Sequence, residues 1–175
     1  PLAAAGFERA PAREPLMWCR ARPPREAGGL RVEQVRSPAR RAQAVAIIAE
    51  AHMIDPAVAD RTLAPLPDPA GRVAAWVAYE GDEPVSVVWA TPGTRIGIWS
   101  MMTPVHRRRK GGARAVLTCA LEALWGPDTE GAFLFSTPAG RPFYEAVGFT
   151  AVDDATTWTR GASVEFLAAI GQPAR

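Results

Sequence analysis

The sequence predicts a mixed α/β fold, and two observations carry that prediction. Three β-rich segments, VAAWVAYE (73–80), VSVVWAT (85–91) and RIGIWSMM (95–102), are joined by GDEP and PGT. Those connections are too short for a crossover, so the three form an antiparallel meander. Downstream, a helical pattern from about Gly112 to Trp125 separates the third segment from AFLFST (132–137). A strand, helix and strand in that order make 95–102 and 132–137 parallel neighbours in a right-handed unit. The expected architecture is a mostly antiparallel sheet with one central parallel pair and flanking helices.

The remaining elements follow in chain order. Residues 1–29 mix Pro, Arg and Gly around one apolar patch, PLMWC, and read as an arm with a strand near Leu16–Cys19 and a linker, RARPPREAGG. The chain opens at Pro1 and runs directly into this stretch, which has the character of the end of a larger module. The domain proper is expected to span 30–175. LRVEQVR (30–36) alternates as a strand does. Ser37-Pro38 combines a capping hydroxyl with a proline in the first turn, and Ala44, Ile47, Ile48 and Ala51 give the helix that follows a buried stripe. Pro56 opens a second short helix to about Leu63. In the helix from Gly112, Val116, Leu117, Ala120, Leu121 and Leu124 share one face. A short helix over 140–147 stops at Gly148, a left-handed terminator. TTWTR (156–160) reads as a last strand, and SVEFLAAIG as a terminal helix.

Composition narrows the function classes. At 175 residues, 48% hydrophobic and 22% charged, the chain suits one well-buried domain. A net charge of +2 is too small for a general attraction to polyanions, so local charge must carry any anion binding. Cys19 and Cys119 alone make neither a disulfide framework nor a four-thiolate zinc site, and no metal cluster is apparent. No apolar run is long enough for a membrane span and no signal-peptide pattern is visible, so a cytoplasmic setting is expected.

The richest stretch is HRRRKGGARAV (106–116), four consecutive cations against two glycines at the start of a helix. A helix start offers unpaired N–H groups and a partial positive charge that suit phosphate. Gly111 and Gly112 let backbone approach an anion without Cβ interference, Ala113 adds little bulk, and Arg108, Arg109 and Lys110 supply countercharge. A P-loop is excluded because the order here is Lys110-Gly111-Gly112-Ala113, and a dinucleotide fingerprint because the loop follows an antiparallel meander. A nucleic-acid patch would add further basic stripes or exposed aromatics, and this run stands nearly alone. The stretch is a phosphate cradle for a small molecule.

Arg108-x-x-Gly111-x-Ala113 resembles the Arg/Gln-x-x-Gly-x-Gly/Ala signature of the GNAT superfamily of N-acetyltransferases. STPAGRPFYEAVGF (136–149) resembles its second signature, a strand followed by a short helix with Tyr that ends in Gly-Phe. The resemblance covers roughly residues 30–160 and is most specific over 95–149. It implies a splay between strands 95–102 and 132–137, with acetyl-CoA as cosubstrate. Backbone groups of Met101, Met102 and Thr103 would hold pantetheine, and the amides from Arg109 to Ala113 the pyrophosphate. Where many relatives carry an asparagine seven residues before the tyrosine, this chain has Thr137, beside Ser136. Phe143 would form a wall of the site, and Tyr144 would protonate the departing thiolate.

A general base is not assigned. An amine of pKa ~10.4 is neutral in only about one molecule in 2,500 at pH 7, so a base would help. Strand 95–102 offers Ser100 but no acid or histidine, while Glu50, His52, Asp55 and Glu80 lie elsewhere. Trp89, Trp99 and Trp125 could line an acceptor pocket, although tryptophans alternating on strands are usually core. The expected activity is transfer of an acetyl group to a primary amine by direct attack. The acceptor, a small molecule or peptide, stays open, and neither nucleic acid nor membrane is expected as a partner. The apolar cluster Leu16, Met17 and Trp18 should dock on its own domain or on a second copy in a homodimer. The rival is a non-catalytic acyl-CoA-binding or interaction module.

Overall fold

The computed structural model describes residues 1–25, 29–62 and 72–160. The expected helix at SVEFLAAIG lies outside the described residues. The chain divides into two compact units, one of residues 20–132 and one of Pro1–Cys19 with Phe133 onward.

In the unit of residues 20–132, β2 (Arg31–Gln34), β3 (Ala74–Glu80), β4 (Glu83–Thr91) and β5 (Arg95–Met102) lie side by side in chain order, all antiparallel. β6 (Gly131–Phe135) begins beside β5, where the Glu130 amide donates to the Thr94 carbonyl at 2.7 Å. These two form the parallel pair. α1 (Pro38–His52) starts at Ser37, whose hydroxyl accepts from the Arg40 amide, and stops at Met53 in a left-handed turn. α2 (Pro56–Thr62) follows. α3 (Gly112–Leu124) runs between β5 and β6.

The two long helices take different faces of the sheet. Ile47, Ile48 and Ala44 of α1 cluster with Val77, Tyr79, Val87 and Trp89. Ser86, which alternates with Val87 along β4, instead abuts Gly112 of α3. α3 buries the apolar face read from its sequence, including Val116, Leu117, Ala120 and Leu121.

The other unit is built around β1 (Glu8–Cys19), which lies between β6 and β7 (Thr150–Thr159). β1 is three times the length of the strand read near Leu16–Cys19, and β7 begins six residues before TTWTR. The stretch resembles an arm because proline removes a ladder donor. It is a strand because it has a neighbour on each side: Pro15 still accepts from the Ser136 amide at 2.9 Å, and Glu8 to Trp18 pair with Thr159 to Thr150. The register breaks between Leu16 and Met17, so β7 carries a bulge there. Asp153 and Asp154 resemble a turn, yet they sit exposed on a strand at the sheet's end, where charge discourages further pairing. Of the apolar cluster, Met17 is buried within the chain, while Leu16 and Trp18 are partly exposed. α4 (Arg141–Val147) ends at Gly148, φ 106°, as its sequence requires.

Because β1 is the middle strand of its unit, deleting residues 1–22 is expected to abolish cooperative melting of that unit. Met17→Ala, which empties a fully buried site, should cost about 2–5 kcal/mol in chemical denaturation. A deletion variant with the parent's calorimetric trace would show that β1 is only a tail.

Candidate active site

The end of β5 is distorted in a specific way. Trp89 faces Trp99 and Val87 faces Met102, so β5 holds one residue more than β4 between these pairs. The extra residue makes a bulge at Ser100, held at φ 41°, a conformation rare outside glycine. A bulge bends its strand and turns backbone groups out of the ladder. Met101, Met102 and Thr103 follow directly and are all partly exposed. Ser86 fixes this end. Its hydroxyl donates to the Met102 carbonyl at 3.0 Å and lies 2.7 Å from the Thr103 hydroxyl. Fully buried in the otherwise apolar run VSVVWA, Ser86 is a positioning residue that the sequence reading passed over.

The glycine-rich loop takes a defined backbone course. A 3-10 turn, Val105–Arg107, leads to Arg109 at φ 67° and Gly111 at φ 86°, ψ −5°. Successive left-handed turns of this kind open concavities lined by amides. No side chain caps α3, and its first bond runs from the Ala115 amide to the Gly111 carbonyl. The amides of Gly112 and Ala113 therefore precede the helical ladder. A Cβ on Gly111 would meet nothing within 4 Å, whereas one on Gly112 would lie 3.0 Å from Ser86 Cβ. Gly111 faces open space, and Gly112 lets the helix start close to the sheet.

The four cations do different jobs. Arg107 is mostly buried, donating to the Pro84 carbonyl and pairing with Glu83 at 2.8 Å, so it serves the fold. Arg108 Nε donates to the Thr103 carbonyl at 3.2 Å and ties the loop to β5. Lys110 pairs with Glu80 at 2.9 Å. Arg109 is exposed and makes no hydrogen bond or ion pair among the described residues. The basic run is thus a braced loop with one uncommitted guanidinium at its left-handed corner.

In the other unit, Thr137, Phe143 and Tyr144 come together around α4. The Thr137 hydroxyl accepts the Gly140 amide at 3.1 Å, which shapes the turn into the helix and leaves its own proton to donate. Ser136 is buried, and its hydroxyl has no partner among the described residues. Tyr144 packs edge-on against Phe143 and Phe149, with ring centroids 5.1 and 5.9 Å away. Burial pushes its phenol well above the ordinary value, so the O–H persists at any physiological pH.

The candidate bases also separate. Glu80 is held by Lys110, Glu50 lies 3.4 Å from His106 and 3.7 Å from Arg107, and Asp55 caps α2 by accepting the Ala57 amide at 2.7 Å. His52 ends α1 on the turn after Ile48, half-buried, and desolvation lowers its pKa, so it is neutral at pH 7. Trp89 is core, while Trp99 is 38% exposed.

No family model and no curated protein matches the chain. Solved structures do. A GCN5-related N-acetyltransferase from Kribbella flavida aligns over 93% of this chain and 63% of its own, with TM-score 0.64 and 19% identity. A functionally unknown conserved protein from Staphylococcus epidermidis aligns over 87% of this chain and 62% of its own, with TM-score 0.62 and 13% identity. An aminoglycoside acetyltransferase from an uncultured soil metagenomic sample aligns over 78% of this chain and 99% of its own, with TM-score 0.57 and 13% identity. This chain spans less than two thirds of the length of the first two. The likeness is one of fold, and the fold is that of the GNAT acetyltransferases.

The division of labour among the cations has a direct check. Arg109→Ala is expected to leave the melting temperature unchanged, because the exposed side chain makes no hydrogen bond or ion pair among the described residues. Arg107→Ala should lower the melting temperature by removing a buried, doubly held guanidinium. His52 adds a pH signature. Its folded pKa lies below the unfolded value of about 6.5, so the unfolded chain binds the extra proton and stability falls as pH drops below that value. His52→Asn should flatten that slope in denaturation measured from pH 7 to 5.

Proposed function

We propose that this chain is an acetyl-CoA-dependent N-acetyltransferase that acts by direct attack of a primary amine on the thioester. The observation that carries the reading is the continuous construction from Ser100 to Ala113: a bulged strand end, a left-handed loop with an exposed Arg109, and an uncapped helix start behind Gly111. Those features fit a ligand with an extended amide arm ending in a pyrophosphate. Met101, Met102 and Thr103 would pair with the arm, and the amides from Arg109 to Ala113 would take the phosphates. The GNAT fold of the Kribbella and soil acetyltransferases supports the same reading.

In the reaction, the neutral amine nitrogen forms a bond to the thioester carbon, the nitrogen loses a proton, and the carbon–sulfur bond breaks with its electron pair on sulfur. His52, already neutral, is the candidate acceptor of the first proton. Tyr144 is the candidate donor to the thiolate. Its raised pKa makes it a weaker acid than an exposed phenol, so its first contribution is a hydrogen bond to the developing charge. The second reading, a non-catalytic acyl-CoA-binding module, draws on a different observation: β5 carries no acidic or histidine side chain, and Glu50, Asp55 and Glu80 are engaged. Thiol release from acetyl-CoA across a panel of amines separates the two, because only the enzyme consumes thioester.

Tyr144→Phe keeps the ring between Phe143 and Phe149 and removes the hydroxyl. With a verified amine, kcat is expected to fall by one to three orders of magnitude, roughly 1.4–4 kcal/mol, with the KM for acetyl-CoA nearly unchanged. Because the phenol keeps its proton through about pH 10, wild-type kcat should show no alkaline decline below that pH from this group. Wild-type turnover in a folded phenylalanine variant would end the assignment.

A further inference from the structure

We propose that His106 is a proton-operated latch in the turn ahead of the glycine-rich loop: neutral, its ring is held by Arg107, and protonated, by Glu50 of α1.

One ring nitrogen faces two partners of opposite kind. His106 Nε2 accepts a hydrogen bond from Arg107 Nε at 3.0 Å. The same Nε2 lies 3.4 Å from Glu50 Oε1. A guanidinium only donates and a carboxylate only accepts. Nε2 therefore serves Arg107 when it carries a lone pair and Glu50 when it carries a proton, and it cannot serve both. The distances show which setting the structure holds. The first is that of an ordinary hydrogen bond, and the second is longer than one. The ring is in its neutral setting, with the carboxylate standing just outside bonding distance.

The neighbours stay in place when the ring changes partner. Arg107 keeps its bond to the Pro84 carbonyl and its ion pair with Glu83 of β4 at 2.8 Å, so losing the ring does not release it. Glu50 stands in the last turn of α1, where its carbonyl accepts from the Met53 amide. The Arg107 guanidinium also lies 3.7 Å from Glu50, so the carboxylate is already drawn toward this turn.

The surrounding charges set the direction of the exchange. Imidazole is the side chain whose ordinary titration falls between about pH 5 and 8. A proton on His106 removes the Arg107 bond, leaves two cations 3.0 Å apart, and gives Glu50 a charged donor. Glu83 meets Arg107 rather than the ring. His52, two residues after Glu50, is kept neutral at pH 7 by desolvation and adds no competing charge there. Acid thus ties the turn Val105–Arg107 to α1 as well as to β4, just before the chain enters the left-handed corner at Arg109 and Gly111.

The test follows the nitrogen-labelled full chain by nuclear magnetic resonance across the imidazole range, about pH 8 to 5. At the alkaline end His106 should carry its hydrogen on Nδ1, and the Arg107 Nε–H signal should lie downfield. On acidification that signal should move upfield in step with the ring, and an Nε2–H signal should appear. Glu50→Ala should keep the Arg107 step and lose the Nε2–H signal to exchange with water. His106→Ala, at an exposed position, should abolish the Arg107 step. The wild-type signals alone decide the matter if a variant does not fold. An Arg107 signal that ignores the titration of the ring, or responds equally in His106→Ala, overturns the proposal. An Nε2–H signal that is missing from wild type, or persists in Glu50→Ala, does so too.

Discussion

The candidate donor site depends on one buried hydroxyl. Ser86 touches three things at once: the Met102 carbonyl, the Thr103 side chain and the first residue of α3. Serine is small enough for Gly112 to approach its Cβ closely, and polar enough to donate to the Met102 carbonyl beside the bulge. A larger residue would push the helix start outward, and an apolar one would leave Met102 without this donor. The end of β5 and the glycine-rich start of α3 are therefore set by the same side chain, which places them in a fixed relation within their unit.

Charge in the loop is organised by burial. The run of four cations has the composition of a polyanion-binding patch, but three of the four are held by Glu83, the Thr103 carbonyl and Glu80. Each bond removes a degree of freedom from the loop, and the ion pairs remove net positive potential. What is left is a shaped backbone with one exposed guanidinium that is not engaged among the described residues, which suits one small anion better than a long one.

Much of this was legible in the residues. The meander, α3 with its apolar face, and the stop at Gly148 each rest on local chemistry that tertiary structure did not override. β1 and the first half of β7 were hidden because their pairing is non-local. Pro15, Asp153 and Asp154 read as loop residues until neighbouring strands make extended backbone the cheaper state. The Ser100 bulge left no trace, since nothing about a serine announces a left-handed backbone. The roles of Arg107 and Arg109 were also invisible, because identical side chains differ only in which acids and carbonyls the fold brings to them. For the candidate site, the glycine-rich loop was readable as a motif, whereas the place of Ser86 against Met102 and Gly112 required register.

β1 sets the order of events during synthesis. The bond from the Thr150 hydroxyl to the Trp18 carbonyl joins residues 132 positions apart. At ribosomal rates of about 5–20 residues per second, β1 waits roughly 7–26 seconds for that partner. Residues 20–132 can assemble in the meantime, since their strands pair with near neighbours in sequence. Translation thus produces the central strand of one unit first and its two flanking strands last. For most of that interval Leu16, Met17 and Trp18 are without their native cover, so this segment of the nascent chain is adhesive, and a chaperone or another nascent chain can reach it before its own β6 and β7 do.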